Sequence, residues 1–344
     1  MDELIRHLAL SAAGSTAFAG FLGLLERVES PRPDLLRVLT YHRVDEPNLR
    51  PHLNPGMISA TPAVFEQQIA YLAAHYRVVS ALEVLEVIRA GGILPPRAVL
   101  VTFDDAYVDF AEQAWPILKR YRVPATLFVP TAFPGSPERA FWWDRIYRIV
   151  NRMAEAESLQ TPFGRLLLST ATQRHRALIR LNDAIKSLPH EEAMAWVEEI
   201  CQAGGDDGAT SGVLDWDSLR QLSREGVTLA AHTRNHPIMT SLSAQEACAE
   251  AVVSLTDLER QVGSVPPIFA YPGGECDETV TQMLRREGFV LAFTTVRGIN
   301  DLRHADRLRL RRINVGRRTS LPVLRAQLLP WSIHLARWPA LAQA

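Results

Sequence analysis

A chain whose short apolar runs alternate with amphipathic helical stretches has few folds open to it, and this chain alternates over most of its length. Apolar runs bounded by turn residues occur at 37–41, 77–79, 98–103, 125–129, 227–231, 268–271, 291–294 and 312–315. Helical spacing fills most of the gaps. Residues 61–75 put Phe65, Ile69 and Leu72 on one face, 82–90 and 108–121 behave alike, and 243–262 carries Ala247, Ala251, Leu255 and Leu258 at the same spacing. Strands that alternate with helices predict an α/β fold with a parallel sheet, open or closed into a barrel. With 344 residues, 47% of them hydrophobic, the chain buries a sizeable core without staples.

One stretch breaks the alternation. Between 137 and 212 no strand is expected. Residues 142–154 and 173–202 read as helices, and 206–212 as a Gly/Asp/Ser loop. This is a helical insertion, either a lid over a site or a packing annex. The ends stand apart as well. Residues 1–35 form an N-terminal helical segment. Its uncharged part, 8–25, follows Asp2 and Glu3 where an export signal carries positive charge, although Ala17-Phe18-Ala19 offers a cleavage-type site. A helix packed on the domain or lying on a membrane surface is the preferred reading, which favours a cytoplasmic or membrane-peripheral chain over an exported one. The Leu-, Trp- and Arg-rich stretch 321–344 reads as an amphipathic helix against the domain or a membrane surface. The barrel domain itself is placed at 36–320.

A net charge of -1 argues against a nucleic-acid partner, which calls for a basic excess. Cys201, Cys248 and Cys276 are sparse, odd in number and unpaired in spacing, so neither a disulfide framework nor a thiolate metal site is expected. Any metal must be held by His and carboxylate.

Two places supply such ligands. Thr102-Phe103-Asp104-Asp105 ends an apolar run, and ligands bind at the C-terminal ends of strands in parallel α/β folds. The plainer reading of the two acids is a helix N-cap. His232-Thr233-Arg234-Asn235-His236-Pro237 also follows a strand-like run, and imidazoles four residues apart share one face of a helical turn. Two His and one Asp leave open positions on a metal, as catalytic zinc sites do. The other Asp is then available as a general base.

Together these motifs resemble the polysaccharide deacetylases, the NodB-homology group of carbohydrate esterase family 4. The resemblance extends to Leu39-Thr40-Tyr41-His42-Arg43-Val44, Leu214-Asp215-Trp216, Glu225-Gly226-Val227 and Phe269-Ala270-Tyr271-Pro272-Gly273-Gly274, and covers roughly residues 36–316. It implies a deformed (β/α) barrel of about seven strands and a metal-dependent removal of acetyl groups from an N-acetylglucosamine-type polysaccharide. It implies Asp104 as catalytic base, Asp105, His232 and His236 as metal ligands, and the backbone near Gly273 as an oxyanion donor, with Pro272 beside it. The metal is a divalent ion. Zinc fits two imidazoles and a carboxylate, and cobalt or nickel would also suit them.

The chain departs from the family pattern twice. An Arg that braces the catalytic Asp is replaced by Ala270, and the aromatic residue expected after the Pro is Gly273. Arg312 is a candidate substitute, with a surface salt bridge as its plainer reading. The late Leu-x-His motif that supplies the general acid has no counterpart. His304 sits in a polar loop and His334 in the terminal helix, so His42, at the end of the first strand, is the better candidate acid; a structural His is the alternative. Trp142, Trp143 and Asp144 open the insertion, and Trp143 and Trp216 are candidate walls for a sugar, against the ordinary reading of Trp as core. Two other functions stay open beside the polysaccharide deacetylase: a deacylase of a smaller or lipid-linked glycan, and a silent glycan-binding protein. The sequence sets no oligomeric state.

Overall fold

A computed structural model describes residues 16–28, 32–136, 138–153, 158–205 and 212–330. Seven parallel strands close into a barrel: β1 (Leu35–Tyr41), β2 (Ala98–Phe103), β3 (Thr126–Val129), β4 (Thr228–Ala231), β5 (Ile268–Ala270), β6 (Leu291–Arg297) and β7 (Leu310–Asn314). Around the barrel the order is β1-β7-β6-β5-β4-β3-β2, and β2 returns to β1 in the register Leu39↔Val101 and Thr40↔Thr102. The barrel and its strand count are those the resemblance implies. The run at 77–79 is not a barrel strand. Arg77–Val78 only pairs with the start of β2, at Ala98 and Val99.

These strands are buried on both sides, which is why β2 reads as the unbroken run AVLVTF. Alternate residues fill two cores. Leu36, Val38, Leu100, Phe128, Ala230 and Phe293 share one cluster, and their neighbours Leu39, Val101, Leu127, Val129, Leu229 and Ala292 pack into another with the outer helices. The helices start where their caps say. Thr61 caps Pro62–His75, with Pro at the first position, and Ser80 and Ser243 each form a capping box with the Glu three residues on.

The insertion differs from its expectation in two respects. It contains an antiparallel hairpin, Ser158–Thr161 with Gly164–Leu167, turned by Gly164 at φ 118°. These strands are too short for their alternation to stand out from a loop. The expected helix at 173–202 is two helices, Ala171–Lys186 and His190–Gly204. Pro189 lies between them, and a proline has no N–H with which to continue a helix. Both pack with Trp142–Arg152 around Ile146, Leu181, Val197 and Ile200, a core separate from the barrel's.

At the N-terminal side, the helix Thr16–Val28 is present, and its Glu26 pairs with Arg325 at 2.7 Å. Arg325 belongs to the C-terminal helix Leu321–Leu328, which buries Leu324 and Leu328 in the main core. That helix therefore packs against the domain; the rest of the expected stretch, 331–344 with His334, lies outside the described residues, as does 1–15. Among the described residues no helix is long and apolar enough to cross a membrane.

Candidate active site

The C-terminal ends of the strands open into a cleft of about 840 Å³, lined by His42, Asp104, Asp105, His232, His236 and Gly273 among others. Each arrives from a strand end. His42 follows β1, Asp104 and Asp105 follow β2, His232 follows β4, and Gly273 lies in the loop after β5.

The segment after β2 is not a helix N-cap. Asp104 N–H extends the β ladder by donating to Tyr41 O (2.9 Å), and then Asp105 and Ala106 both take the left-handed region, at φ 71° and 50°. Consecutive non-glycine residues there are strained, and such strain persists only where the surroundings impose it. Here Leu214 N–H holds Ala106 O and Val108 N–H holds Gly212 O. The reversal sends the adjacent carboxylates to different partners.

Asp104 meets Arg312. The guanidinium donates from Nη1 to Oδ1 and from Nη2 to Oδ2, both at 2.8 Å, and from Nε to Thr294 O at 2.7 Å. Arg312 is fully buried, with its guanidinium carbon 6.0 Å from the Phe128 ring centre. It is thus an internal brace and not a surface salt bridge. The strand position looked superficial only because its partner lies 208 residues away in sequence. Burial pushes the Asp104 carboxyl up, but Arg312, His232 and His42 together outweigh it and hold the carboxyl below its usual range.

Asp105 meets the two histidines. Its Oδ1 lies 3.1 Å from His236 Nε2 and 3.5 Å from His232 Nε2, and the two nitrogens are 3.2 Å apart. Atoms bound to one tetrahedral ion at about 2.0–2.1 Å lie about 3.3–3.4 Å apart, so the triangle has the size of a ligand set. Asp105 Oδ1 is buried and accepts no hydrogen bond, as an atom reserved for a cation would be. Burial alone would raise the Asp105 carboxyl, yet the neighbouring imidazoles hold it far below its usual value. His232 Nδ1 lies 2.8 Å from Ala270 O, which fixes Nδ1 as the donor and leaves Nε2 free to coordinate.

The histidines do not sit on a helical turn. They belong to a loop in which Thr233 and His236 both have φ 61°. Pro237 keeps the preceding residue out of the helical region, and Glu250 takes the Arg234 and Asn235 N–H groups at 2.9 and 2.8 Å. The four-residue spacing converges through this loop.

Other expected residues are placed less centrally. His42 stands in the cleft near both carboxylates, its backbone N–H donating to Ser59 Oγ at 2.9 Å. His304 is exposed beside the strand residues 300–301, which pair with Leu35 and Leu36 at the opposite end of the barrel. Gly273 lines the cleft at φ 66°, while Pro272 is buried and does not line it. Trp216 does not line it either. It opens the helix Trp216–Arg224, capped by Asp215, and packs on the main core. Trp143 does line the wall, but one ring face stacks on Phe141 (4.4 Å between centres, 10° between planes) and its N–H goes to Tyr107 Oη at 2.8 Å. Phe141, Tyr107 and Glu250 had no signal in the sequence beyond being ordinary core or surface residues.

A family profile described as polysaccharide deacetylase matches residues 91–292, more than half of the chain. The chain belongs to the polysaccharide deacetylase family. Among curated relatives of this family, a poly-beta-1,6-N-acetyl-D-glucosamine N-deacetylase of Staphylococcus aureus is 33% identical over 108 residues, 28% of this chain and 36% of that one. The match therefore spans little more than a third of that relative. Among solved structures, the Streptococcus pyogenes deacetylase PplD in complex with acetate aligns with a TM-score of 0.58 and 22% identity, covering 88% of this chain and all of that one. IcaB from Ammonifex degensii aligns with a TM-score of 0.55 and 20% identity over 86% and 97%. At that identity these likenesses speak for the deacetylase barrel alone. The family match includes Asp104, Asp105, His232 and His236, while His42 and Arg312 lie outside it.

Proposed function

We propose that this polysaccharide deacetylase family member hydrolyses the N-acetyl amide of an N-acetylglucosamine-type polysaccharide. The observation that carries the reading is the division of labour between the adjacent acids: Asp104 is held ionised by Arg312 while Asp105 converges with His232 and His236. A divalent ion held by those three, zinc in the first instance, would supply Lewis acidity and make water a better nucleophile. Asp104 accepts the proton of the attacking water, and Arg312 keeps its carboxylate oriented and charged between transfers. The backbone at Gly273 donates to the oxygen that becomes negative as the amide carbon turns tetrahedral. His42, which lines the cleft, passes a proton to the departing amine.

The insertion's share of the cleft wall mixes apolar residues such as Leu188 and Met194 with Arg139, Arg145, Arg148 and Lys186. A second reading is a smaller or lipid-linked glycan, on a chain that works in the cytoplasm or at a membrane surface. Acetate release from poly-N-acetylglucosamine oligomers, run beside a lipid-linked acetylated sugar, tests both. The first reading expects turnover on the oligomers that is lost on chelation and restored by zinc. Turnover on the lipid-linked sugar alone would favour the second, and binding without acetate release from either would leave a silent glycan-binding barrel.

A further inference from the structure

The two histidines of the triad are aimed by different means. The His232 ring is set by its hydrogen bond to Ala270 O. The His236 ring has no such bond: among the described residues, no protein group pairs with its Nδ1, its Nε2 faces the triad, and its backbone N–H donates to Thr233 Oγ1 at 3.0 Å. Two aromatic rings at the start of the insertion press on it instead. Trp143 meets it edge to face at 5.1 Å and 68°, and Phe141 at 5.6 Å and 74°. Those rings are themselves locked. They stack on each other, Trp143 Nε1 donates to Tyr107 Oη, Tyr107 Oη donates to Asp144 Oδ2 at 3.1 Å, and Asp144 Oδ1 accepts from Asn54 N–H at 2.6 Å.

Tyr107 lies two residues beyond Asp105. It bridges to Val213 at the exit of the insertion, and its flanking residues Ala106 and Val108 bond to Leu214 and Gly212. The exit of the insertion is thus fastened to the backbone that turns Asp105 into the site, and its start to the Tyr107 hydroxyl. We propose that the insertion is the positioning device of the metal triad: Trp143 and Phe141 aim His236, and Tyr107 couples them to Asp105. Trp143, expected as a wall for the sugar, thereby carries a positioning role as well. The proposal rests on reading Asp105, His232 and His236 as metal ligands.

Groups that orient metal ligands typically change affinity by about 10- to 100-fold when removed. The test is zinc affinity of the metal-stripped full chain, measured by chelator competition, with the absorption spectrum of the cobalt-loaded protein as a second readout of ligand geometry. Trp143→Leu is expected to weaken zinc binding at least about tenfold and to alter the cobalt spectrum. Phe141→Leu and Tyr107→Phe should weaken it in the same direction by less, and Trp143→Phe, which keeps a ring, should recover much of the loss. Trp196→Leu, in an insertion residue that stacks on Phe163 and does not line the cleft, should leave affinity and spectrum unchanged. If Trp143→Leu fails to fold, Phe141→Leu and Tyr107→Phe decide. Wild-type affinity and spectrum in those variants would overturn the positioning role while leaving the metal reading intact. A wild-type chain that binds neither zinc nor cobalt would overturn both.

Discussion

Asp104 and Asp105 are one chemical type at adjacent positions, and only their partners separate them. Asp104→Asn should keep the ion, because the triad is untouched, and lose about 10²–10⁴-fold in turnover, because an amide accepts no proton at neutral pH. Asp105→Asn should lose the ion. Metal content and acetate release on both variants check this, and reversed behaviour would reverse the roles. Arg312 carries a second prediction. Arg312→Met leaves a buried carboxylate without its partner, at a cost of about 3–5 kcal/mol in chemical denaturation. Arg312→Lys keeps the charge but not the two-pronged contact. Since Arg312 lowers the Asp104 carboxyl, weakening that contact should move the acidic limb of the pH–rate profile to higher pH. His42→Ala should slow turnover with the metal content unchanged; wild-type turnover would make His42 structural.

Among the elements, the opening turn of the insertion holds the group with the clearest link between pH and stability. Asp144 is buried, and burial pushes its carboxyl up to about 7, against the smaller opposing pull of the Asn54 N–H, Arg43 and Tyr107. A carboxyl raised on folding contributes stability that is fully present below its unfolded value of about 4 and is lost as pH rises through the folded value. Between about pH 4 and pH 7 the wild type should therefore fall relative to Asp144→Asn by up to about 1.4 kcal/mol per pH unit, and the difference should level off above pH 7. The asparagine matches the protonated acid: its oxygen can accept from Asn54 N–H and its amide can donate to Tyr107 Oη. Parallel denaturation curves for the two proteins across that range would show that Asp144 does not titrate there.

Over the whole molecule, the barrel is closed by its ends. β1 and β7 lie at opposite ends of the domain in sequence, yet they pair at Leu39↔Ile313 and bring His42 and Arg312 to the cleft. The C-terminal helix secures this closure. Arg37 Nε, in β1, donates to Leu328 O at 2.6 Å, and Gln68 Nε2 donates to Thr319 O at 2.7 Å. Leu328→Ala removes a fully buried side chain from the main core and should cost about 2–5 kcal/mol by urea denaturation. A loss under about 1 kcal/mol would mean that the helix rides on the barrel without securing it.

What was legible in the sequence is what depends on local order: the alternation of apolar runs and helices, and the strand-end motifs that place Asp104, Asp105, His232 and His236. Those features are written within a few residues of one another, where side-chain period and turn chemistry act directly. The tertiary structure decided the rest. It decided between the two readings of Arg312, as the buried partner of Asp104 and not a surface salt bridge, took Trp216 and Pro272 off the cleft wall, broke the long insertion helix at Pro189, and set the two histidines on a loop held by Glu250. It also set Phe141 and Trp143 against His236. Each of these depends on contacts between residues far apart in the chain, and a side chain's partner across a closed barrel is fixed by strand register and packing, which no local pattern encodes.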